Sequence, residues 1–256
     1  MAVCGPPTSM TTVSSVTESL FQRGSQYQQF RPTYPPSLFQ WLSNQSTGHH
    51  LALDLGCGSG QASRGLEPWF RQVLGADISH EQLLAAPASR SHYLLSMAHR
   101  LPLADASLDL ITVAQAYHWF DQAAFHAEAQ RTLCPGGMLA LISYGVCEVT
   151  GLGSMIQDFH DGPLAPWWPP ERAQVVAGYP DADLPWPALT YPGDSITLDW
   201  SATDMLGYLD TWSALVQAAR AGESLLDDFA PRLKQAWGKT QRTVRWPLRV
   251  RAWRKQ

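Results

Sequence analysis

Three glycines at alternate positions, Gly56, Gly58 and Gly60, close an apolar stretch in which Asp54 lies just ahead of the first of them. Without a Cβ, such a turn lets backbone amides approach a ligand closely, and the helix that follows turns a polar N-terminus toward it. The spacing is G-x-G-x-G, not the G-x-G-x-x-G that seats a dinucleotide pyrophosphate. No Lys-Ser or Lys-Thr pair closes the loop, which argues against a triphosphate. Further on, Val73-Leu74-Gly75-Ala76-Asp77 reads as a short buried strand. The carboxylate at its C-terminal end is placed to accept hydrogen bonds from two ribose hydroxyls.

These residues resemble the class I S-adenosylmethionine-dependent methyltransferases, whose first strand ends in D-x-G-x-G-x-G and whose second ends in an acid. Residues 98–111, from Ala98-His99-Arg100-Leu101-Pro102 to Leu108-Asp109-Leu110-Ile111, are similar to the family's third-strand exit and fourth strand. His99 stands there in place of the usual Glu. Arg131-Thr132-Leu133-Cys134-Pro135-Gly136-Gly137 resembles the family's turn into strand five. More narrowly, Tyr27 to Pro35 and Ala114 to Asp121 resemble a small-molecule subgroup (methyltransferase type 11 domain) that includes trans-aconitate methyltransferase-like proteins.

The resemblance implies S-adenosyl-L-methionine as methyl donor and S-adenosyl-L-homocysteine as product. Asp54, Gly56, Cys57, Gly58, Gly60 and Gln61 are expected at the methionine portion, Asp77 and Ile78 at the ribose, and Ala98 and His99 at the adenine edge. Gln115 and Ala116, after strand four, complete the seat. His118 is the candidate general base for a hydroxyl or thiol acceptor, since histidine titrates near neutral pH; packing is the alternative role. Arg31 could clamp a carboxylate or cap a helix. A carboxylic acid acceptor is already ionised and needs no base, which would shift the weight from His118 to Tyr27, Arg31 and Tyr34. Trp119, Phe120, Trp167 and Trp212 are further candidates for the acceptor side, with core packing as the alternative for Trp212.

The elements that must position these groups follow from hydrophobic pattern. Apolar strands over 51–55, 72–76, 92–95, 109–114 and 138–143 alternate with helical stretches, the signature of a parallel sheet covered on both faces. The expected architecture is a Rossmann-like α/β fold: a seven-stranded, mostly parallel sheet with an antiparallel last strand over 242–253. Ligands in such sheets lie across the carboxyl ends of the strands, where Asp54, Asp77, Ala98 and Gln115 fall. Residues 1–20 read as a disordered tail and 21–256 as one domain. Within that domain, the Pro- and Trp-rich stretch over about 145–193 reads as a substrate-covering insert without regular structure.

The chain has 256 residues and a net charge of −4, with nine Lys or Arg and no acid after residue 230. Because basic and apolar residues alternate there, a strand with one solvated face is expected rather than a nucleic-acid surface. No run of about 18 apolar residues is present, so a cytoplasmic protein without membrane contact is expected. The four cysteines show neither metal nor disulfide spacing. The expected partner is a small-molecule substrate, and the expected state a monomer or weak dimer. The alternatives are a protein or RNA methyltransferase docking through its basic end, and a non-catalytic binder of the methyl donor.

Overall fold

The computed structural model describes residues 30–256. The tail expected over 1–20, and Tyr27, lie outside the described residues. Helix α1, Pro36–Gln45, opens on a proline whose fixed φ suits the first turn, and buries Leu38, Phe39 and Leu42 at helical spacing. Strand β1, Leu51–Leu55, is apolar and almost wholly buried, and leads through the glycine loop into α2, Gln61–Leu66.

Strand β2, Gln72–Asp77, helix α3, His80–Leu84, strand β3, His92–Leu95, and strand β4, Leu108–Ala114, follow. Helix α4, Gln122–Thr132, is capped by the Asp121 carboxylate accepting from the Ala124 amide at 3.1 Å, and runs into β5, Leu133–Tyr144. Strands β1 to β5 pair in parallel in the order β3-β2-β1-β4-β5. Arg131 locks the segment leading to β4, donating to the carbonyls of Leu101 and Leu103 and to the carboxylates of Glu128 and Asp105. That gives its turn motif a physical reason.

The insert is more regular than its composition predicts. Strand β6, Glu148–Val149, helix α5, Met155–Asp161, a 3₁₀ turn at Ala165–Trp167, helix α6, Arg172–Ala177, and strand β7, Ala188–Leu189, fill it. Pro166 sits in the first turn of the 3₁₀ segment, and Pro169-Pro170 precede α6. At helix starts a missing N–H costs little, so the two helices are proline-free.

Strand β8, Ser195–Trp200, helices α7, Ala202–Asp210, α8, Ser213–Arg220, and α9, Leu225–Trp237, and strand β9, Arg242–Arg254, complete the chain. β9 runs antiparallel between β5, which it pairs through Leu248–Arg254, and β8, which it pairs through Arg242–Pro247. Among the described residues the sheet counts nine strands, of which β6 and β7 are two-residue pieces on β9. Two apolar clusters fill the core, one holding Leu110, Ala140 and Trp246, the other Leu53, Ile111 and Leu139. Among the described residues no helix is long and apolar enough to cross a membrane.

Three side chains of the basic end are tied into the fold, while Arg232, Lys234, Lys239, Arg245 and Arg249 are exposed. Arg242 donates to the Trp237, Thr150 and Ala236 carbonyls, Arg254 to the Gln45 carbonyl, and the buried Lys255 ammonium to the carbonyls of Gln130 and Leu133.

Candidate active site

The glycine loop lies at the carboxyl end of β1 and is hooked to β2 by the Gly56 and Cys57 amides, which both donate to the Ala76 carbonyl at 2.8 and 3.1 Å. Gly56, Gly58 and Gly60 all have left-handed φ, +68°, +54° and +75°, a region costly for residues with a side chain. A Cβ on Gly56 would stand 2.5 Å from that of Ala116, so the loop and the strand-four exit approach as closely as glycine permits. Gly60 starts α2 and abuts the Tyr93 ring.

Asp77, at the end of β2, accepts the Gly58 amide on one oxygen at 2.7 Å and the Ser79 amide on the other at 2.8 Å. A carboxylate offers about four lone-pair directions, so each oxygen keeps one for a ligand hydroxyl. Burial raises its pKa against these amide bonds. Asp54 is fully buried, takes the Ser63 hydroxyl at 2.7 Å and meets the Thr112 hydroxyl at 3.4 Å. Desolvation pushes its acid up to about 6, with the hydroxyl bonds opposing. The Cys57 thiol is pushed strongly up by burial and by the two carboxylates, which keeps it protonated.

These groups open onto one cavity of about 510 Å³. Asp54, Gly56, Cys57, Gly58 and Gln61 line one side, Asp77, Ile78, Ala98 and His99 another, and Gln115 and Ala116 a third. Gly60 does not line it and acts through the turn. Gln115 has φ +59°, uncommon for a residue with a side chain, and its amide donates to the Tyr144 carbonyl at 3.2 Å, tying the end of β4 to that of β5. Gln61 donates to the Pro32 carbonyl at 3.0 Å, which brings the Arg31 to Tyr34 segment over the seat.

Arg31, Tyr34, Trp119 and Phe120 also line the cavity. Arg31 donates to the Thr211 carbonyl at 3.3 Å and lies 5.6 Å from the Tyr208 ring centroid. Tyr144, Ser96 and Met97 line it too, and sequence reasoning missed them. Tyr144 ends a continuous apolar strand, with nothing in the pattern to mark it as lining, whereas Met97 and Ser96 adjoin Ala98 and a wider window at the third strand exit would have included them.

Three expectations need correction in place. His118 does not line the cavity: it sits under the 3₁₀ turn Tyr117–Trp119, stacked at 6.2 Å on Tyr179, whose hydroxyl lies 3.3 Å from its Nδ1. Burial, and then the Arg172 charge, push its pKa down to about 3, too low for a base working near neutrality. Trp212 is buried against Tyr208, Trp168 and His160, and Trp167 packs on the same core cluster; neither lines the cavity.

Residues 53–141 match the family described as "Methyltransferase domain". A protein of Dictyostelium discoideum named as a methyltransferase is 33% identical over 224 residues, covering 85% of this chain and 84% of its own. A solved structure described as a type II methyltransferase from Anaeromyxobacter dehalogenans is 40% identical, covers 88% of this chain and 98% of its own, and superposes with a TM-score of 0.82. The chain belongs to the class I S-adenosylmethionine-dependent methyltransferases. A malonyl-[acyl-carrier protein] O-methyltransferase of Dechloromonas aromatica is 39% identical over 116 residues, 44% of this chain and 43% of its own.

The methyltransferase has a cradle that fits its donor. The left-handed glycines bare the loop amides, the open lone pairs of Asp77 suit a ribose diol, and the half-exposed Ile78 and Met97 offer apolar faces to a planar base. The donor supplies an electrophilic methyl on a sulfonium. The protein's part is to align, to exclude water and to set the local field.

Proposed function

We propose that this methyltransferase acts on a small molecule with a carboxylate, hydroxyl or thiol acceptor. The observation that carries the reading is the lining of the cavity, to which Tyr34, Tyr144, Trp119 and Phe120 contribute together with Arg31. A cavity with aromatic lining and a few fixed polar groups matches a compact organic molecule better than an extended polymer groove. The narrower likeness to trans-aconitate methyltransferase-like proteins supports the same reading. So do Arg242, Arg254 and Lys255 of the basic end, which are engaged with internal carbonyls rather than offered to a polymer.

The reaction is an in-line displacement: the acceptor's lone pair forms the bond to the methyl carbon as the carbon–sulfur bond breaks and its electrons stay on sulfur; a carboxylate attacks already ionised, and a hydroxyl or thiol gives its proton up to solvent. The aromatic wall excludes water, and Arg31 orients the acceptor. Incubating the protein with cell extract and labelled methyl donor tests the proposal. Label in products below about 1 kDa is expected; label that precipitates with protein or RNA overturns it.

A further inference from the structure

Gln115 holds a backbone conformation that its side chain disfavours. Its amide donates to the Ile142 carbonyl at 2.9 Å, one step beyond the pairing of Ala114 with Ile142, yet its φ is left-handed at +59°. Glycine takes that region without strain and asparagine or aspartate tolerates it, whereas other side chains take it seldom and mostly at functional sites. The loop beside it uses glycine for its own left-handed residues, Gly56, Gly58 and Gly60. A turn alone would ask for glycine at position 115 as well, so the glutamine side chain has a use that offsets its strain.

The backbone turn sets Ala116 against the glycine loop, where a Cβ on Gly56 would stand 2.5 Å from that of Ala116, and leads into the 3₁₀ turn from which Trp119 and Phe120 reach the cavity. The side chain goes the other way: its Nε2 donates to the Tyr144 carbonyl at 3.2 Å, at the end of β5. Only the nitrogen end of an amide can face a carbonyl, so the orientation of the group is fixed and its oxygen is left over. Among the described residues no donor meets that Oε1, and it is not shut off from solvent; it opens onto the cavity that Gln115 lines.

The sulfonium sulfur of the donor joins the ribose to the methionine chain. With the ribose at Asp77 and the methionine chain at the glycine loop, the methyl must point away from both, toward the strand-four exit with Trp119, Phe120 and Tyr144. We propose that the Gln115 amide oxygen faces the sulfonium methyl of the donor and holds it in line for transfer. A methyl on a cationic sulfur carries positive charge on its hydrogens, and an oxygen fixed in advance presents the negative end of its dipole to them without reorganising. It therefore favours the charged donor over the neutral product. The bond to the Tyr144 carbonyl keeps the amide from turning. This contact is made to the donor and is the same for a small or a polymeric acceptor.

Sinefungin provides the test, because it carries a C–NH3+ group where the donor has S+–CH3, while S-adenosylhomocysteine has neither the charge nor the substituent. Calorimetry on the full chain gives the affinity of each, and their ratio cancels whatever the two ligands share. In Gln115→Gly, which suits the left-handed backbone and removes the oxygen, the ratio of sinefungin to S-adenosylhomocysteine affinity should fall about fivefold or more below that of the wild type. Should the glycine variant fail to fold, Gln115→Asn should show the same loss: asparagine tolerates the conformation, but its shorter amide cannot both reach the Tyr144 carbonyl and face the methyl. A merely structural role would weaken both ligands alike and leave the ratio where it was. That result, or any smaller fall in the ratio, overturns the contact. Transfer of label to protein or RNA would sink the small-molecule reading and leave this one standing.

Discussion

Asp54 ties β1 to α2 and β4 from a position with no solvent contact, and that burial carries a cost that pH should reveal. Its acid rises from the ordinary 3.8 to about 6, with desolvation the largest cause. The folded protein therefore binds this proton more tightly than the unfolded chain does. Its contribution to stability is complete below pH 3.8, falls as pH rises through the window to about 6, and is gone above it. The full difference is worth about 3 kcal/mol, of which about 2 kcal/mol falls between pH 4.5 and 7.5. Asp54→Asn keeps the size and leaves an oxygen for the Ser63 hydroxyl, but has no charge to desolvate. Urea unfolding of both proteins at pH 4.5 and 7.5 isolates the effect, because every other titrating group is common to them. The variant should gain about 2 kcal/mol on the wild type between the two pH values. If the two pH curves run parallel to within about 0.5 kcal/mol, the carboxyl is not desolvated as described. The same variant should bind S-adenosylhomocysteine about tenfold to a hundredfold more weakly, since the methionine ammonium loses a charged acceptor.

Two more substitutions probe the site. In Asp77→Asn the amide oxygen can serve the Gly58 or the Ser79 N–H but not both, and a ribose bond is lost as well. Calorimetry should show S-adenosylhomocysteine binding weakened about a hundredfold or more, and a change below threefold would remove Asp77 from the ribose. His118→Gln should keep the shape of the kcat profile from pH 6 to 9 and lower kcat less than about tenfold. Loss of a titrating limb with a fall of about a hundredfold or more would restore the general base.

The donor side was legible in the sequence because its determinants are local. Gly56 and Gly58 must be glycine where φ is left-handed, and Asp77 and Gln115 stand at strand ends that hydrophobic periodicity alone locates. The acceptor side was not, because it is assembled by distant contacts. Tyr144 lies at the end of a uniformly apolar strand, and Arg31 reaches the cavity only because its segment is drawn over the seat by the Gln61–Pro32 bond. Tryptophan richness misled at Trp167 and Trp212: in a short, proline-interrupted insert the large rings must supply the core that long helices would otherwise provide. No periodicity distinguishes an indole that packs from one that faces a ligand.

The basic end and the segment around α6 form one mechanical unit. Arg251 on β9 donates to the Tyr179 carbonyl at 2.8 Å and also to that of Pro180. Tyr179 has φ +58° and presents its hydroxyl to His118. A left-handed tyrosine is costly and persists where both its carbonyl and its ring are held. The strand thus fixes the turn that ends α6, and α6 carries Arg172 at its start. The arginine that reads in sequence as part of a charged stripe therefore sets where the insert stands against the exit of β4. His118, beneath that exit, is best understood as the other half of this brace: a neutral imidazole that receives the tyrosine hydroxyl and positions Trp119 and Phe120 above it.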